Sequence, residues 1–305
     1  MSQPSDLPIF PAASDCDPLQ LGWMQGSPPS ADKIIQAHDG SGYRFPQLRW
    51  SFAHYRQLVP TATVSRGLAP STPLPQASRS LPQIRYSPMG SNAECSWADM
   101  MEATYTDALL VLHKGQVVFE HFCGVMTPLH AHIAMSVSKS FMGLLAAALV
   151  AEGVLDEAQR VDHYVPELAG SGFADATVRQ VMDMTTGIDY TENYADPQAE
   201  IWNHMRAGGV MPSPPGYSGP GSFYDYLKTV RKLGEHGECF TYRTANTDVL
   251  GWIVRRVSGQ NTEQMLSESI WQPMGAELDA YYTVDPNGTA FAGGGLNTGL
   301  RDLAR

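Results

Sequence analysis

The pattern of hydrophobic and polar positions divides the chain into an N-terminal arm and a domain. Residues 1–95 are rich in Pro, Ser and Gly, so we expect an irregular arm packed on the domain that follows, 96–305. The runs 108–113 and 116–122 are rich in β-forming residues and flank Lys114-Gly115, a two-residue turn signal. These runs predict a β-hairpin at the start of the domain.

Helical periodicity dominates from about residue 136 to 275, and we expect strands to resume near Tyr281. Within this helical lobe, the run 141–151 is apolar on every side of a helical wheel, which predicts a helix buried on all sides. An amphipathic helix is predicted to end at Gly259, a typical stop signal. The Pro- and Gly-rich loop 208–221 interrupts the pattern and forms either a lid at a pocket rim or a solvated surface loop.

Composition and charge narrow the classes of function. With 305 residues, 43% of them hydrophobic, the chain can bury a large core. Its net charge of −11 argues against nucleic acid and membrane as partners, because phosphate binding needs basic surfaces. The four cysteines are scattered and predict free thiols, and the N-terminus lacks the basic region and apolar core of a secretory signal. We therefore expect a cytoplasmic protein, for which a homodimer is a compatible assembly.

The candidate chemistry centres on Ser136 and Lys139. They lie three residues apart directly before the apolar run, so their side chains share a face and the lysine amine can reach the serine hydroxyl. A serine hydroxyl needs such a base to become a good nucleophile. Withdrawal of the lysine from water favours the neutral amine, the form that a base requires. A capping serine beside a surface lysine is the structural alternative, as at Ser30 and Lys33, which share the spacing but precede no long apolar helix.

Tyr242 adds a second group that can handle protons, because a phenol near a neutral lysine can take the serine proton and pass it to a leaving group. Ser136-x-x-Lys139, followed by the Tyr-x-x-Ala-Asn segment at 242–246, resembles the penicillin-recognising serine hydrolases: class C β-lactamases, D-peptidases, and related esterases and amidases. The turns at 184–188 and 271–275 are similar as well. The resemblance implies an α+β fold of the β-lactamase/transpeptidase type, an antiparallel sheet flanked by helices plus the helical lobe.

Within that family the sequence is most similar to the 6-aminohexanoate-dimer hydrolases, the nylon-oligomer amidases, over most of residues 43–305. This resemblance implies Ser136 as the nucleophile, with Lys139 and Tyr242 as the pair that handles its proton. Three further residues are predicted to bind substrate: Tyr194, which the resemblance places at the scissile amide, Asn246, and Gly293, in a glycine run that indicates a close backbone approach.

The expected reaction is hydrolysis of a linear amide or ester, of the 6-aminohexanoate-oligomer type, through an acyl-enzyme on Ser136 and without a cofactor. A carboxylesterase, or a D-peptidase or β-lactamase of the same family, is an alternative. Another is a non-catalytic binding module that keeps a degenerate pocket. No metal is expected, because His130 and His132 lack a carboxylate partner at ligand spacing.

The end of the sequence predicts that the domain is truncated. The family completes its oxyanion hole with a backbone N–H from an edge strand that carries a Lys-Thr-Gly or His-x-Gly element, and we expect that strand to follow Arg305. The helical pattern that begins at Leu300 stops after two turns without a C-cap signal. We therefore expect the parent protein to continue for several strands and a helix.

Overall fold

The computed structural model describes residues 11–80 and 83–305. The first ten residues, for which the sequence predicts no secretory signal, lie outside the described residues. The α-helices are α1 (Pro18–Leu21), α2 (Leu48–Ser51), α3 (Trp97–Ala103), α4 (Ser138–Ala151), α5 (Val161–Tyr164), α6 (Val178–Met182), α7 (Glu200–Ala207), α8 (Phe223–Thr229), α9 (Thr244–Ser258), α10 (Thr262–Leu266) and α11 (Leu300–Ala304). The strands are β1 (Thr61–Val64), β2 (Arg85–Tyr86), β3 (Cys95–Ser96), β4 (Ala108–His113), β5 (Gln116–Phe122), β6 (Ala131–Ile133), β7 (Ala280–Thr283) and β8 (Leu296–Gly299).

The main sheet has four antiparallel strands in the order β1-β7-β8-β6. Strand β7 confirms the prediction that strands resume near Tyr281. Strand β1 lies within the region predicted to be irregular, where it pairs Thr61 with Thr283. Four residues between proline-containing segments are too short to give a periodic signal, so pairing with β7 is what makes this segment a strand. The prediction of an irregular arm over residues 1–95 is therefore corrected at β1, and the short elements α1, α2 and β2 also lie in this region.

The predicted hairpin is confirmed. Strands β4 and β5 pair antiparallel from Ala108 opposite Phe122 to His113 opposite Gln116. Lys114 and Gly115, which connect them, both have positive φ angles, 51° and 74°. Tight two-residue turns with this geometry match the right-handed twist of the flanking strands.

Helix α9 is the centre of the helical lobe. It packs against α4, α6, α8 and α10, and its residues from Thr244 to Val254 are all buried. It ends at Gly259, as predicted, with φ of 70° in the left-handed region that terminates helices. Between residues 138 and 271 every regular element of the structure is a helix, which confirms the helical lobe.

Among the residues that the structure describes, no helix is long and apolar enough to cross a membrane.

The prediction that the 141–151 helix is buried on all sides is wrong. Helix α4 turns Met142, Leu145 and Leu149 into the core, whereas Leu144 on its other side is 54% exposed. An apolar run shows that a helix can be buried but not how many of its faces find partners, and single exposed apolar side chains are common. Helix α9, predicted to have one polar face, is the helix that neighbours surround.

Gly172 provides a test of packing within the helical lobe, between the segment that follows α5 and the segment that follows α8. Its N–H donates to the carbonyl of Val230 at 2.7 Å, and a Cβ built on it would lie 2.4 Å from the backbone carbon and oxygen of Arg231. Because backbone cannot rotate away as a side chain can, we expect Gly172→Ala to lower the free energy of unfolding by about 1–3 kcal/mol.

The matched control is Gly170→Ala, since a Cβ at Gly170 meets nothing within 4 Å. We expect that variant to remain within about 0.5 kcal/mol of the native chain. Urea unfolding followed by circular dichroism measures both, and equal stabilities of the two variants would contradict the packing described here.

Candidate active site

Ser136 lies on a short 3-10 turn, Met135–Val137, that leads into α4. Met135 has φ of 46°, in the left-handed region that a non-glycine residue adopts only under constraint from its surroundings. The constraint comes from Ser138, whose hydroxyl donates to the Met135 carbonyl at 2.6 Å and accepts from the Leu296 N–H at 3.0 Å. The turn is thereby fixed to β8, and Ser136 is exposed.

Lys139, on the first turn of α4, contacts three parts of the site. Its Nζ donates to Ser136 Oγ at 3.2 Å and to the carbonyl oxygen of Gly293 at 2.5 Å. The same nitrogen lies 5.1 Å from the centroid of the Tyr242 ring. The side chain is half-buried, less than the complete withdrawal from water that a fully buried helix start would give. The structure thus brings Ser136, Lys139, Tyr242 and Gly293 together.

Tyr242 is positioned by its two neighbours in the chain. The Thr241 N–H donates to the carbonyl of Met184 at 2.9 Å, and the Arg243 guanidinium donates to the carbonyl of Thr186. Both acceptors belong to the turn at 184–188. Tyr242 is 40% exposed and lies outside the lining of the cavity beside Ser136.

Asn246 does not line the cavity beside Ser136, which corrects its placement among the substrate-binding residues. It is completely buried, and its Oδ1 accepts a hydrogen bond from Thr186 Oγ1 at 2.7 Å. Asn246 therefore links the first turn of α9 to the turn at 184–188 and supports the segment that carries Tyr242. The sequence could not show this, because the inward direction of a polar side chain on α9 depends on what packs around the helix.

A cavity of about 330 Å³ opens beside Ser136 and Lys139. Tyr194, predicted to contact substrate, lies at its rim, where the side chain is 58% exposed and its hydroxyl donates to Glu192. The first residues of the Pro- and Gly-rich loop, Val210 and Met211, form part of the wall. The other lining residues are mostly apolar or aromatic: Tyr43, Tyr55, Ile133, Met135, Ile201, Trp202, Met205, Thr244, Thr283, Phe291, Gly293 and Gly294.

Glu192 is a supporting residue that the sequence analysis did not identify. Its carboxylate accepts hydrogen bonds from the N–H of Thr244 at 2.5 Å and from the Thr244 hydroxyl at 2.6 Å. A carboxylate at the start of a helix satisfies a free amide and is favoured by the helix dipole. Glu192 therefore caps α9 and at the same time holds Tyr194. It lies 52 positions from Thr244, so no local pattern could have revealed the contact.

Asp248 and His204 form a buried pair beneath Gly293. Asp248 Oδ1 accepts from the Gly293 N–H at 3.0 Å, and its Oδ2 lies 3.3 Å from His204 Nε2. Burial raises the pKa of Asp248 to about 7 and lowers the pKa of His204 to about 3, so the imidazole is neutral at physiological pH. A buried carboxyl must find polar partners, but the sequence did not show that this position of α9 is buried.

This pair makes the stability of the chain depend on pH. The pKa of Asp248 is higher in the folded protein than its ordinary value of 3.8, so between about pH 4 and 7 the folded state keeps a proton that the unfolded chain has lost. The stabilisation from the neutral carboxyl is complete below that range and is lost as pH rises through 7. Asp248→Asn removes this titration, so the stability of the variant relative to the native chain should increase from pH 5 to pH 8.

Urea unfolding at the two pH values measures this difference. Asp225→Asn is the matched control, because hydrogen bonding to Lys228 lowers the pKa of Asp225. Asp225 is therefore ionised at both pH values, and its substitution should change stability by the same amount at each. An Asp248→Asn difference that does not move with pH would contradict the raised pKa.

Comparison with known proteins places this fold and site in a family. The family model described as Beta-lactamase matches residues 98–305, and the chain belongs to that family. This confirms the resemblance to penicillin-recognising serine hydrolases and the fold class expected from it.

Individual relatives within the family give a more specific comparison than the family model. A 6-aminohexanoate-dimer hydrolase of Paenarthrobacter ureafaciens is 42% identical over 260 residues, which cover 85% of this chain and 64% of that protein. The chain therefore spans less than two thirds of the length of this curated relative. A solved structure from Bacillus anthracis, assigned as a 6-aminohexanoate-dimer hydrolase, superposes with a TM-score of 0.83 at 28% identity, over 91% of this chain and 71% of that one.

A more distant solved structure, from Bacteroides dorei and assigned as a β-lactamase, matches with a TM-score of 0.51 at 20% identity. It covers 68% of this chain and 58% of that chain. At this identity the similarity shows a shared fold, the antiparallel sheet with its helical lobe, and nothing about substrate.

Proposed function

We propose that the protein hydrolyses linear amides or carboxylic esters through an acyl-enzyme on Ser136. The observation that carries the proposal is the contact of Lys139 Nζ with Ser136 Oγ, 3.2 Å apart beside an apolar cavity. A nucleophile within hydrogen-bond reach of a base is the arrangement that covalent catalysis requires. Membership of the β-lactamase family and similarity to proteins named 6-aminohexanoate-dimer hydrolases support the same chemistry.

In the first step, Ser136 Oγ attacks the substrate carbonyl carbon while its proton passes to the pair formed by Lys139 and Tyr242. The backbone N–H of Ser136, on the turn before α4, supports the negative charge that develops on the carbonyl oxygen. Tyr242 lies beside the lysine and is 40% exposed, which supports a role for its hydroxyl in protonating the leaving nitrogen or oxygen. The bond to the leaving group then breaks, and the acyl group remains on Ser136.

In the second step, water attacks the acyl carbon while the same pair accepts a proton from that water. The bond between the acyl carbon and Ser136 Oγ then breaks, the pair returns the proton to Oγ, and the carboxylic acid leaves. Gly293 supports both steps, because its carbonyl holds Lys139 Nζ at 2.5 Å and fixes the nitrogen near Ser136. Positioning of this kind lowers the entropic part of the barrier.

The cavity walls favour a substrate with an aliphatic chain. Ile201, Met205 and Met211 offer apolar surface that would pack against methylene groups, such as those of a 6-aminohexanoyl unit. Tyr194, at the rim, is placed to contact the scissile amide. An ester with the same acyl chain fits this site equally well, so the proposal covers amidase and carboxylesterase activity.

We also propose that the protein acts in the cytoplasm. The support is the cysteine chemistry: Cys16, Cys95, Cys123 and Cys239 are all free thiols in the structure. Disulfides persist in oxidising compartments, whereas scattered free thiols are typical of reducing ones.

The nucleophile can be tested by trapping the acyl-enzyme. Incubation with p-nitrophenyl hexanoate should add one hexanoyl group to the native chain, visible by intact mass spectrometry, and Ser136→Ala should abolish that adduct. Turnover of the ester should fall about 10⁴-fold or more in Ser136→Ala. The matched control is Ser30→Ala, which removes the serine of the second Ser-x-x-Lys pair and should behave as native. An adduct that survives in Ser136→Ala would refute the assignment.

Tyr242→Phe tests the protonation of the leaving group. Loss of the hydroxyl should lower kcat for a linear amide by about 10²–10⁴-fold with little change in KM, because general acid–base catalysis contributes that much. The p-nitrophenyl ester of the same acyl chain should lose less, since p-nitrophenolate leaves without being protonated. Steady-state kinetics on both substrates measures the contrast, and unchanged amide turnover would exclude Tyr242 from the mechanism.

A further inference from the structure

Gly293 connects the proposed base to a buried carboxyl. On one side of its Cα, its N–H donates to Asp248 Oδ1 at 3.0 Å. On the other side, its carbonyl accepts from Lys139 Nζ at 2.5 Å. One residue of the loop before β8 thus joins the middle of α9 to the first turn of α4.

The space around Gly293 shows that this connection is tight. A Cβ built on Gly293 would lie 2.5 Å from Thr244 Cγ2 and 3.3 Å from Asp248 Oδ2. Only glycine lets the backbone approach α9 so closely. Any side chain here would push the loop away from Asp248 and move the carbonyl that Lys139 contacts.

Asp248 is itself held in a fixed place. It is 3% exposed and sits in a buried stretch of α9, with the fully buried His204 against its second oxygen. The other ring nitrogen of His204 lies 3.1 Å from the hydroxyl of Tyr190, which is also buried. A carboxyl hydrogen-bonded through one oxygen and packed against a buried ring in a dry interior has little freedom to move, which is what a positioning group requires.

We propose that Asp248 is a positioning residue for Lys139: its carboxyl anchors the Gly293 N–H, and the anchored Gly293 carbonyl fixes the lysine amine against Ser136. Asp248 touches neither Ser136 nor the cavity, so its positional effect on the reaction passes through Gly293, and its charge, when ionised, also acts on Lys139 directly. The kinetic consequence rests on the proposed function, whereas the effect on Lys139 does not.

The kinetic test compares Asp248→Ala, which removes the acceptor, with Asp248→Asn, whose amide oxygen can still accept from Gly293. Displacement of a catalytic group by about 1 Å can cost about 10²-fold, so Asp248→Ala should lower kcat by about that factor with KM within about threefold. Asp248→Asn should restore kcat to within about fivefold of the native chain. If the two variants lose kcat equally, the proposal is overturned.

A second readout follows the lysine directly and needs no turnover. In chain labelled with ¹³Cε-lysine, the resonance of Lys139 is identified by its loss in Lys139→Arg. Asp248→Ala should shift that resonance, and Asp248→Asn should leave it close to the native position. The matched control is Asp302→Ala, which removes another buried carboxyl that accepts two backbone N–H groups, from Glu277 and Leu278, and should not move the resonance.

A further pair of variants keeps the test decisive if Asp248→Ala does not fold. Gly293→Ala should shift the Lys139 resonance, because its Cβ collides with Thr244 Cγ2. Adding Thr244→Ser removes that methyl group and should move the resonance back towards its native position.

A Lys139 resonance unaffected by Asp248→Ala and Gly293→Ala would refute the positioning role. Absence of Ser136-dependent turnover in the native chain would refute the proposed function and leave this readout to decide the positioning role alone.

Discussion

The site depends on the two hydrogen bonds of the Lys139 amine. One reaches Ser136 on the turn before α4, and the other reaches the carbonyl of Gly293 on the loop before β8. A flexible lysine chain has many rotamers, and two fixed acceptors are needed to hold its nitrogen at one place. The helical lobe and the main sheet must therefore keep a constant relation, because each supplies one of the two acceptors. The bond from Leu296 to Ser138 and the pairing of β8 with β6 maintain it.

Helix α9 supports the other side of the site through polar groups that are buried in it. Thr244 is capped by Glu192, Asn246 accepts from Thr186, and Asp248 accepts from Gly293. Each of these groups would be costly in the interior without its partner. Glu192 and Thr186 lie on the connection between α6 and α7, and Gly293 lies on the loop before β8, so the demand for satisfied polar groups fixes two loops to one helix. The site is therefore built from the polar positions of α9, while its apolar positions build the core.

The cavity wall recognises the part of a substrate that does not react, whereas the reactive groups recognise its carbonyl. The mostly apolar wall offers binding energy to the part of a substrate that does not react, and Ser136 and Lys139 line the same cavity. Binding energy from remote groups can then be used to orient the carbonyl at the nucleophile. The left-handed backbone at Met135 fits this arrangement, because constrained backbone of that kind often presents a catalytic side chain.

Local spacing in the sequence determined the hairpin at Lys114-Gly115, the end of α9 at Gly259, and the placement of Ser136 and Lys139 within reach of each other. Each of these depends on residues close together in the chain, so turn chemistry and helical periodicity suffice. Only the tertiary structure decided which helix its neighbours surround, that Asn246 faces inward, and that Glu192 and Asp248 support the site. Those outcomes depend on contacts between residues 45 or more positions apart, and the pattern along one segment carries no record of what packs against it.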